Sequence, residues 1–158
     1  TLIPHRGYAK HDEILLMVAG IASNFISILV IALYITSDTV VQLDGETLEK
    51  PGSADEAFGM IMKLSGNTHQ VVTAFCVVDG QHPDALNTDH DVVDVSFEQL
   101  SPEFARHYIE NHHPFDKAGG YGAQDLIGAC AIHSLKGSYY TVMGLPMHKV
   151  FSALQRLD

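Results

Sequence analysis

Two periods of hydrophobic and polar positions alternate along the chain and predict strands and helices in turn. A period of two, rich in β-branched residues, predicts strands at residues 36 to 43, 46 to 48, 69 to 78 and 93 to 97. The dipeptide Asp44-Gly45 predicts a tight hairpin turn between the first two of these strands. Residues 79 to 91 are polar and predict a loop, and residues 129 to 143 predict a second hairpin that turns at Lys136-Gly137.

Three further segments carry their apolar residues on one face of a helix. Ser53 with Glu56 forms a capping-box pattern, and the helix that it starts is expected to stop near Ser65-Gly66. Ser101-Pro102 and Pro146 are typical helix starts for the other two segments. Helices that alternate with strands indicate the α/β class, with the helices flanking one sheet.

The N-terminal segment of residues 14 to 35 is 22 consecutive positions without a charge. A bilayer-spanning helix needs about 20 such residues, so length alone would allow a span. Ser23, Asn24 and Ser27 interrupt the run, however, and its β-branched second half also fits a buried strand. We do not expect a membrane span, and we expect no classical signal peptide, because no small-residue cleavage site follows the run.

The composition describes one acidic domain. The 158 residues include 9 Lys+Arg and 19 Asp+Glu, and 46% are apolar, which is too much for a disordered chain. So few cations cannot form the basic stripe that nucleic-acid binding needs, so we expect no nucleic-acid partner. Cys76 and Cys130 lack the spacing of a zinc site or a disulfide framework and are predicted to be buried free thiols, which favours a cytoplasmic location.

Charged residues near the ends of predicted elements are the candidates for chemistry. Asp38 emerges from an apolar strand and could bind a hard divalent cation or take a proton from water, although it could also simply cap a turn. Lys50 and Lys117 each stand close to a proline or glycine turn, where they could neutralise phosphate charge or could merely be solvated.

The loop FDKAGGYGAQ at residues 115 to 124 adds polar and flexible positions. Gly119 and Gly120 permit close approach of a ligand and could offer N–H groups to an anion, or could make ordinary turns. Gln124 could pair with a base edge through its amide, or could cap the loop. His82, His90, His107, His112 and His113 form a competing cluster, but they lack the i, i+4 pair with an intervening acid that marks a helical zinc site, so we interpret these five as solvated.

Four segments follow each other in this order: SDTVVQLDGETLEKP, LSGNTHQVVTAF, DKAGGYGAQ and GSYYTVMGLP. Together they resemble the Maf family of nucleoside triphosphate pyrophosphatases over about residues 35 to 157, so we interpret residues 1 to 158 as a single Maf-like domain with an atypical stretch at 1 to 34. The resemblance implies hydrolysis of a nucleoside triphosphate to its monophosphate and pyrophosphate, aided by a divalent metal such as Mg²⁺. It also implies an elongated, ITPase-like α/β fold around a central mixed sheet flanked by helices, and a homodimer.

The resemblance also implies roles for particular residues. Asp38 corresponds to the family's proton acceptor and lies where the metal is expected, and Lys50 corresponds to its phosphate-facing lysine. Thr39 and Gln124 correspond to positions that influence which nucleotide is accepted, and Lys117 is expected to add a substrate contact. The form DKAGGYGAQ is similar to the subgroup that acts on dTTP and UTP.

The N-terminal part departs from the family pattern. Family members carry an SxSPRR phosphate loop and an A-x-x-K-A helix before the counterpart of SDTVV, and neither is recognisable here. The alternative hypothesis is therefore a truncated or altered relative that is catalytically impaired and acts as a binding or regulatory protein.

Overall fold

The computed structural model describes residues 33 to 84 and 86 to 157, which form a sheet with helices packed against it. The strands are β1 (Leu33–Leu43), β2 (Glu46–Leu48), β3 (Thr68–Asp79), β4 (Leu86–Phe97) and β5 (Ile132–Lys136). The helices are α1 (Ala54–Leu64), α2 (Pro102–His112), α3 (Leu126–Ala131), α4 (Tyr139–Val142) and α5 (Met147–Leu154). A 3₁₀ turn, Ala118–Gly120, lies in the loop between α2 and α3.

The sheet has the strand order β2-β1-β3-β4-β5. The predicted α/β class is confirmed. Every pairing among the described strands is antiparallel, so the parallel part of a mixed sheet is not represented in residues 33 to 84 and 86 to 157. In the long ladder between β1 and β3, Thr39 lies opposite Thr73 and Val41 lies opposite Val71. These four residues share one face of the sheet, because side chains on a strand alternate between its faces.

The predicted hairpin of β1 and β2 is confirmed. Asp44 and Gly45 have φ angles of 51° and 81°, which is the left-handed conformation that a tight two-residue hairpin turn requires. The turn pairs Leu43 with Glu46 and returns the chain beside β1. Leu48 at the end of β2 lies opposite Val41, so the segment that follows β2, with Lys50, continues back along β1 from that point.

The three predicted helices are also confirmed. Ser53 accepts a hydrogen bond from the Glu56 amide at 3.2 Å, and the Glu56 carboxylate accepts one from the Gly52 amide at 2.7 Å. The first bond satisfies an amide that the first turn of α1 leaves without a helical partner, and the second satisfies the amide of Gly52 just before the helix. Ser101 caps α2 in the same way, with its hydroxyl accepting from the Phe104 amide at 3.2 Å.

Two predictions about secondary structure are wrong. The predicted loop at 79 to 91 is shorter, because β4 begins at Leu86 and its polar residues pair with β3 through backbone hydrogen bonds that need no apolar side chain. The predicted hairpin at 129 to 143 is instead the end of α3, the edge strand β5 and the short helix α4. Short apolar runs of this kind fit a strand or a buried helix equally well, and tertiary contacts decide between them.

Two apolar clusters form the core. The larger packs β1, β3 and β4 against α1 and α2, and the smaller packs Phe75 and Val77 of β3 against α5. Both cysteines are free, but Cys130 is exposed and Cys76 is only partly buried, so the prediction of two buried thiols is wrong. Among the described residues no helix is long and apolar enough to cross a membrane. The uncharged segment at 14 to 35 falls outside them, except for its last three residues at the start of β1.

Candidate active-site cleft

A cleft of about 290 Å³ opens between β1, the segment after β2 and the loop that follows α2. Its lining is divided between polar and apolar side chains. The polar ones include Ser37, Asp38, Thr39, Lys50, Asp116, Lys117 and Gln124. The apolar and aromatic ones include Val41, Val71, Tyr121, Val142 and Met143. Five of the residues singled out in the sequence, namely Asp38, Thr39, Lys50, Lys117 and Gln124, are thus brought together from three separate segments.

Asp38 belongs to the lining of this cleft and has an accessible carboxylate. Its side chain is exposed, and Oδ1 accepts a hydrogen bond from the Thr39 amide at 3.0 Å. Asp38 lies within β1, so it does not cap a turn. The neighbouring Ser37 hydroxyl donates to the carbonyl oxygen of Gly144 at 2.6 Å and so ties this part of β1 to the segment after α4.

Two lysines bring positive charge to the cleft, and one aspartate balances part of it. Lys117 lies 3.2 Å from the carboxylate of Asp116. Hydrogen bonding from Lys117 holds the pKa of Asp116 below its ordinary value, and the charge of Lys50 acts in the same direction. Asp116 is therefore ionised at neutral pH and leaves Lys50 with the less compensated charge. Sequence reasoning did not single out Asp116.

Gly119 and Gly120 shape the loop from behind the cleft and do not line it. Both are buried with positive φ angles, of 69° and 71°. The Gly119 amide donates to the carbonyl oxygen of Glu49 and the Gly120 amide donates to that of Lys117, each at 3.1 Å. Because these N–H groups already have partners, the geometry does not support the predicted contact between them and a ligand.

A buried pair, His69 and Tyr121, supports the loop. His69 Nε2 lies 2.7 Å from the Tyr121 hydroxyl, and the side chains are 1% and 5% exposed. Burial lowers the pKa of His69 from 6.5 to about 4, so the imidazole is neutral at pH 7. Burial likewise raises the pKa of Tyr121 far above its ordinary value. The His69–Tyr121 hydrogen bond therefore joins two uncharged groups, and it fixes an aromatic wall of the cleft.

Tyr108 of α2 anchors the end of the same loop. Its hydroxyl donates to Oδ2 of Asp125 at 2.9 Å and accepts from the Gly122 amide at 3.2 Å. Tyr108 is fully buried, and this desolvation raises the pKa of its hydroxyl, so the group remains a donor at neutral pH. The two hydrogen bonds hold the main chain between Tyr121 and Gln124 in place.

A row of hydroxyl groups runs from the cleft into the core. The Thr39 and Thr73 hydroxyls are 2.9 Å apart, and the Thr73 hydroxyl donates to the Thr141 carbonyl oxygen at 2.7 Å. The Thr141 hydroxyl donates to Asp91 Oδ2 at 2.6 Å. Thr73 and Thr141 are 0% exposed. The hydroxyl of Thr39 is thus held from behind by a connected network.

The carboxylates of the cleft do not form a closed metal cage. Within residues 33 to 84 and 86 to 157, no group of three or more His, Cys, Asp or Glu side chains is arranged to hold a metal ion. Mg²⁺, however, is usually bound by one or two carboxylates together with substrate phosphates. The accessible carboxylate of Asp38 fits that second kind of site.

Comparison with known proteins shows the family to which this chain belongs. The family model for Maf-like protein matches residues 12 to 157, which is most of the chain. The chain belongs to the Maf-like family. The match begins before the described residues and includes every residue of the cleft.

Several relatives carry the name dTTP/UTP pyrophosphatase. One from Clostridium perfringens strain 13 is 45% identical over 127 residues, which are 80% of this chain and 65% of the relative. One from Flavobacterium psychrophilum is 44% identical over 75% of this chain and 60% of the relative. One from Chlorobium phaeovibrioides is 44% identical over 77% and 61%. The chain thus spans somewhat less than two thirds of the length of these Maf-like relatives.

Several residues that build this Maf-like cleft were not singled out from the sequence, among them Thr73, Asp116, Tyr121 and Thr141. A signal for one of them exists. His69 and Thr73 are polar residues on the face of β3 that also carries the apolar Val71 and Phe75, and a buried polar side chain needs a partner. The pattern indicates that partners exist but cannot name them, because Tyr121 and Thr141 come from distant segments.

Proposed function

We propose that this Maf-like chain acts as a nucleoside triphosphate pyrophosphatase on dTTP- and UTP-type nucleotides. The observation that carries the proposal is the accessible carboxylate of Asp38 in the same cleft as Lys50, Lys117 and Gln124. The names of the relatives support the reaction and the nucleotide class. Nothing in these comparisons favours the alternative of a catalytically impaired relative.

In the proposed reaction, Asp38 orients a water molecule and accepts its proton as the water oxygen attacks the α-phosphorus. A bond forms between that oxygen and the α-phosphorus, and the bond from the α-phosphorus to the bridging oxygen breaks, so that pyrophosphate leaves with both bonding electrons. Lys50 and Lys117 stabilise negative charge on the phosphates. Gln124, whose amide can both donate and accept, contacts the base.

The proposed cofactor is a divalent cation, with Mg²⁺ as the expected ion. Asp38 is the residue that would hold it, together with the phosphates of the nucleotide. Such an ion supplies further neutralisation of phosphate charge. The homodimer and the cytoplasmic location stay predictions.

The test is release of pyrophosphate from dTTP or UTP in the presence of Mg²⁺, with Asp38→Asn as the decisive variant. The substitution keeps the size of the side chain and removes the base, so we expect kcat to fall by roughly 10² to 10⁴. Nucleotide binding measured without Mg²⁺ should change much less, because without the cation Asp38 acts mainly in the transition state.

Asp44→Asn is the matched control. Asp44 is also an exposed aspartate of the β1–β2 hairpin, but it lies in the turn and outside the cleft, and asparagine tolerates its left-handed conformation. We expect full activity from this variant. Equal activity of the unaltered chain and Asp38→Asn would contradict the proposal, and tight nucleotide binding without pyrophosphate release would favour the impaired relative.

A further inference from the structure

The direction of the hydrogen bonds behind Thr39 can be worked out from the number of protons available. A hydroxyl has one proton to donate, and a carbonyl oxygen has none. The contact of 2.7 Å between the Thr73 hydroxyl and the Thr141 carbonyl oxygen therefore uses the proton of Thr73. If that proton pointed elsewhere, two oxygen lone pairs would face each other at this distance inside the core.

This leaves one arrangement for Thr39. The hydroxyls of Thr39 and Thr73 are 2.9 Å apart, and Thr73 has no second proton, so Thr39 must be the donor in that contact. The proton of Thr39 then points away from the ligand, and its remaining lone pair is what the cleft can use. Thr39 can accept a hydrogen bond from a ligand but cannot donate one.

The surroundings of Thr39 show which part of a nucleotide fits there. An acceptor repels phosphate oxygens, because these are acceptors as well. Thr39 lies next to Gly144, since a Cβ atom at Gly144 would be 3.5 Å from the Thr39 hydroxyl oxygen. The preceding residues Val142 and Met143 line the cleft, and Met143 is 46% exposed. Their apolar surface beside Thr39 suits the flat face of a base.

We propose that Thr73 sets the base preference of the cleft by holding the Thr39 hydroxyl as an acceptor, so that a pyrimidine with a proton on N3 is favoured. Uracil and thymine carry that proton between two carbonyl groups. Cytosine has a lone pair on N3 instead, which would face the lone pair of Thr39. The inference rests on the proposed function and adds a specificity residue that is fully buried and touches no substrate.

The decisive variant is Thr73→Val, which keeps the shape of the side chain and removes its hydroxyl. Thr39 is then free to rotate and donate to N3 of cytosine, while it can still accept from uracil. We expect kcat/KM for CTP to rise, and the ratio of UTP to CTP activity to fall by roughly tenfold. A gain on CTP is informative, because damage to the fold would lower the activity on both nucleotides.

Two further variants check the assignment. Thr73→Ser keeps the hydroxyl and should show the same ratio of UTP to CTP activity as the unaltered chain. Thr39→Val removes the acceptor at a position that is only partly buried, so it tests the same contact if Thr73→Val fails to fold. It should lower activity on UTP with no gain on CTP. A ratio that neither Thr73→Val nor Thr39→Val changes would overturn the proposal, as would equal effects on UTP and CTP, which would put a ribose hydroxyl at Thr39.

Binding of UMP and CMP, measured by calorimetry, separates this inference from the proposed function. A preference for UMP that Thr73→Val reduces supports the inference even in a chain that releases no pyrophosphate. Equal or absent binding of the two monophosphates by the unaltered chain overturns it, whether or not UTP is hydrolysed.

Discussion

The cleft joins two regions that treat polar groups in opposite ways. Its charged rim, formed by Asp38, Lys50, Asp116 and Lys117, faces solvent at least in part. Behind it lies a set of buried polar side chains, called the buried row below. Its members are at most 5% exposed and are His69, Thr73, Tyr121 and Thr141. The rim carries charge and the row is neutral, and of the row's four members Tyr121 reaches the lining of the same cleft of about 290 Å³.

The difference follows from the cost of desolvation. A charge that remains in water is inexpensive to keep, and an exposed ion pair adds only about 0 to 1 kcal/mol to stability. A buried polar group must be paired and is best left uncharged. We therefore expect substitutions in the rim to affect catalysis with little effect on folding, and substitutions in the row to affect folding or specificity.

The largest effect on stability is expected from His69 and from pH. Its pKa is about 4 in the folded chain and 6.5 when unperturbed, so between these values the unfolded chain binds more protons. The contribution of neutral His69 is fully present above pH 6.5 and is lost as the pH falls toward 4. The whole shift corresponds to roughly 3 kcal/mol in the free energy of unfolding.

Urea unfolding of the unaltered chain and of His69→Gln, at several pH values between 4 and 7, measures this contribution. Glutamine can still hydrogen-bond to Tyr121 but does not titrate, so the variant should be less sensitive to acid even if it is less stable overall. His107→Gln, at an exposed position of α2, is the control and should keep most of the pH dependence. The same slope in all three chains would show that His69 is not the buried titrating group.

The second effect, on activity, separates a lysine of the rim from another surface lysine. Lys50 lines the cleft, whereas Lys63 is exposed on α1 and lies 2.9 Å from Glu46, outside the cleft lining. Loss of a charge-assisted contact to phosphate costs about 1.5 to 3 kcal/mol, so Lys50→Ala should lower kcat/KM by roughly 10- to 100-fold. Lys63→Ala should leave kcat/KM unchanged, and both variants should unfold at nearly the same urea concentration as the unaltered chain.

An equal loss of activity in the two lysine variants would contradict the distinction between the rim and the remaining surface. A large loss of stability in Lys50→Ala would contradict the distinction between the rim and the buried row. Such a loss would show that a rim residue has the structural role that we assign to the row.

The two regions also differ in how far the sequence can predict them. Asp38, Lys50 and Gln124 stand in short motifs whose residue types indicate a chemical role. The hairpin of β1 and β2 is predicted by the dipeptide Asp44-Gly45 alone. Such signals are local, because a turn or a capping box is complete within a few residues.

The buried row depends on contacts that no local pattern contains. Thr73 and Thr141 are 68 positions apart, and His69 and Tyr121 are 52 apart. The prediction at 129 to 143 fails for the same reason, because the placement of β5 against β4 decides the structure of that segment. In this chain, therefore, Asp38, Lys50 and Lys117 of the rim could be found from the sequence, whereas Asp116 and the buried groups that hold Thr39 and Tyr121 in place could not.

The smallest expected effect is that of a substitution at Gly119. Gly119 packs against Val41, which is in the lining of the cleft. Its φ angle is 69°, and a Cβ atom there would lie 3.2 Å from the side-chain carbons of Val41. Gly45 has a similar φ of 81° but has nothing within 4 Å of such an atom. Both alanine variants carry the backbone strain of the left-handed conformation, so their difference isolates the crowding.

We expect Gly119→Ala to lower the free energy of unfolding by about 1 kcal/mol more than Gly45→Ala, which urea unfolding can resolve. It should also reduce pyrophosphate release, because Val41 must shift to admit the extra methyl group and Thr39 stands two residues away on the same face of β1. Equal stability of the two variants would mean that the loop yields without strain. The loop that contains Gly119 could then move away from Val41 to admit the methyl group, and its contact with Val41 would not restrain the cleft.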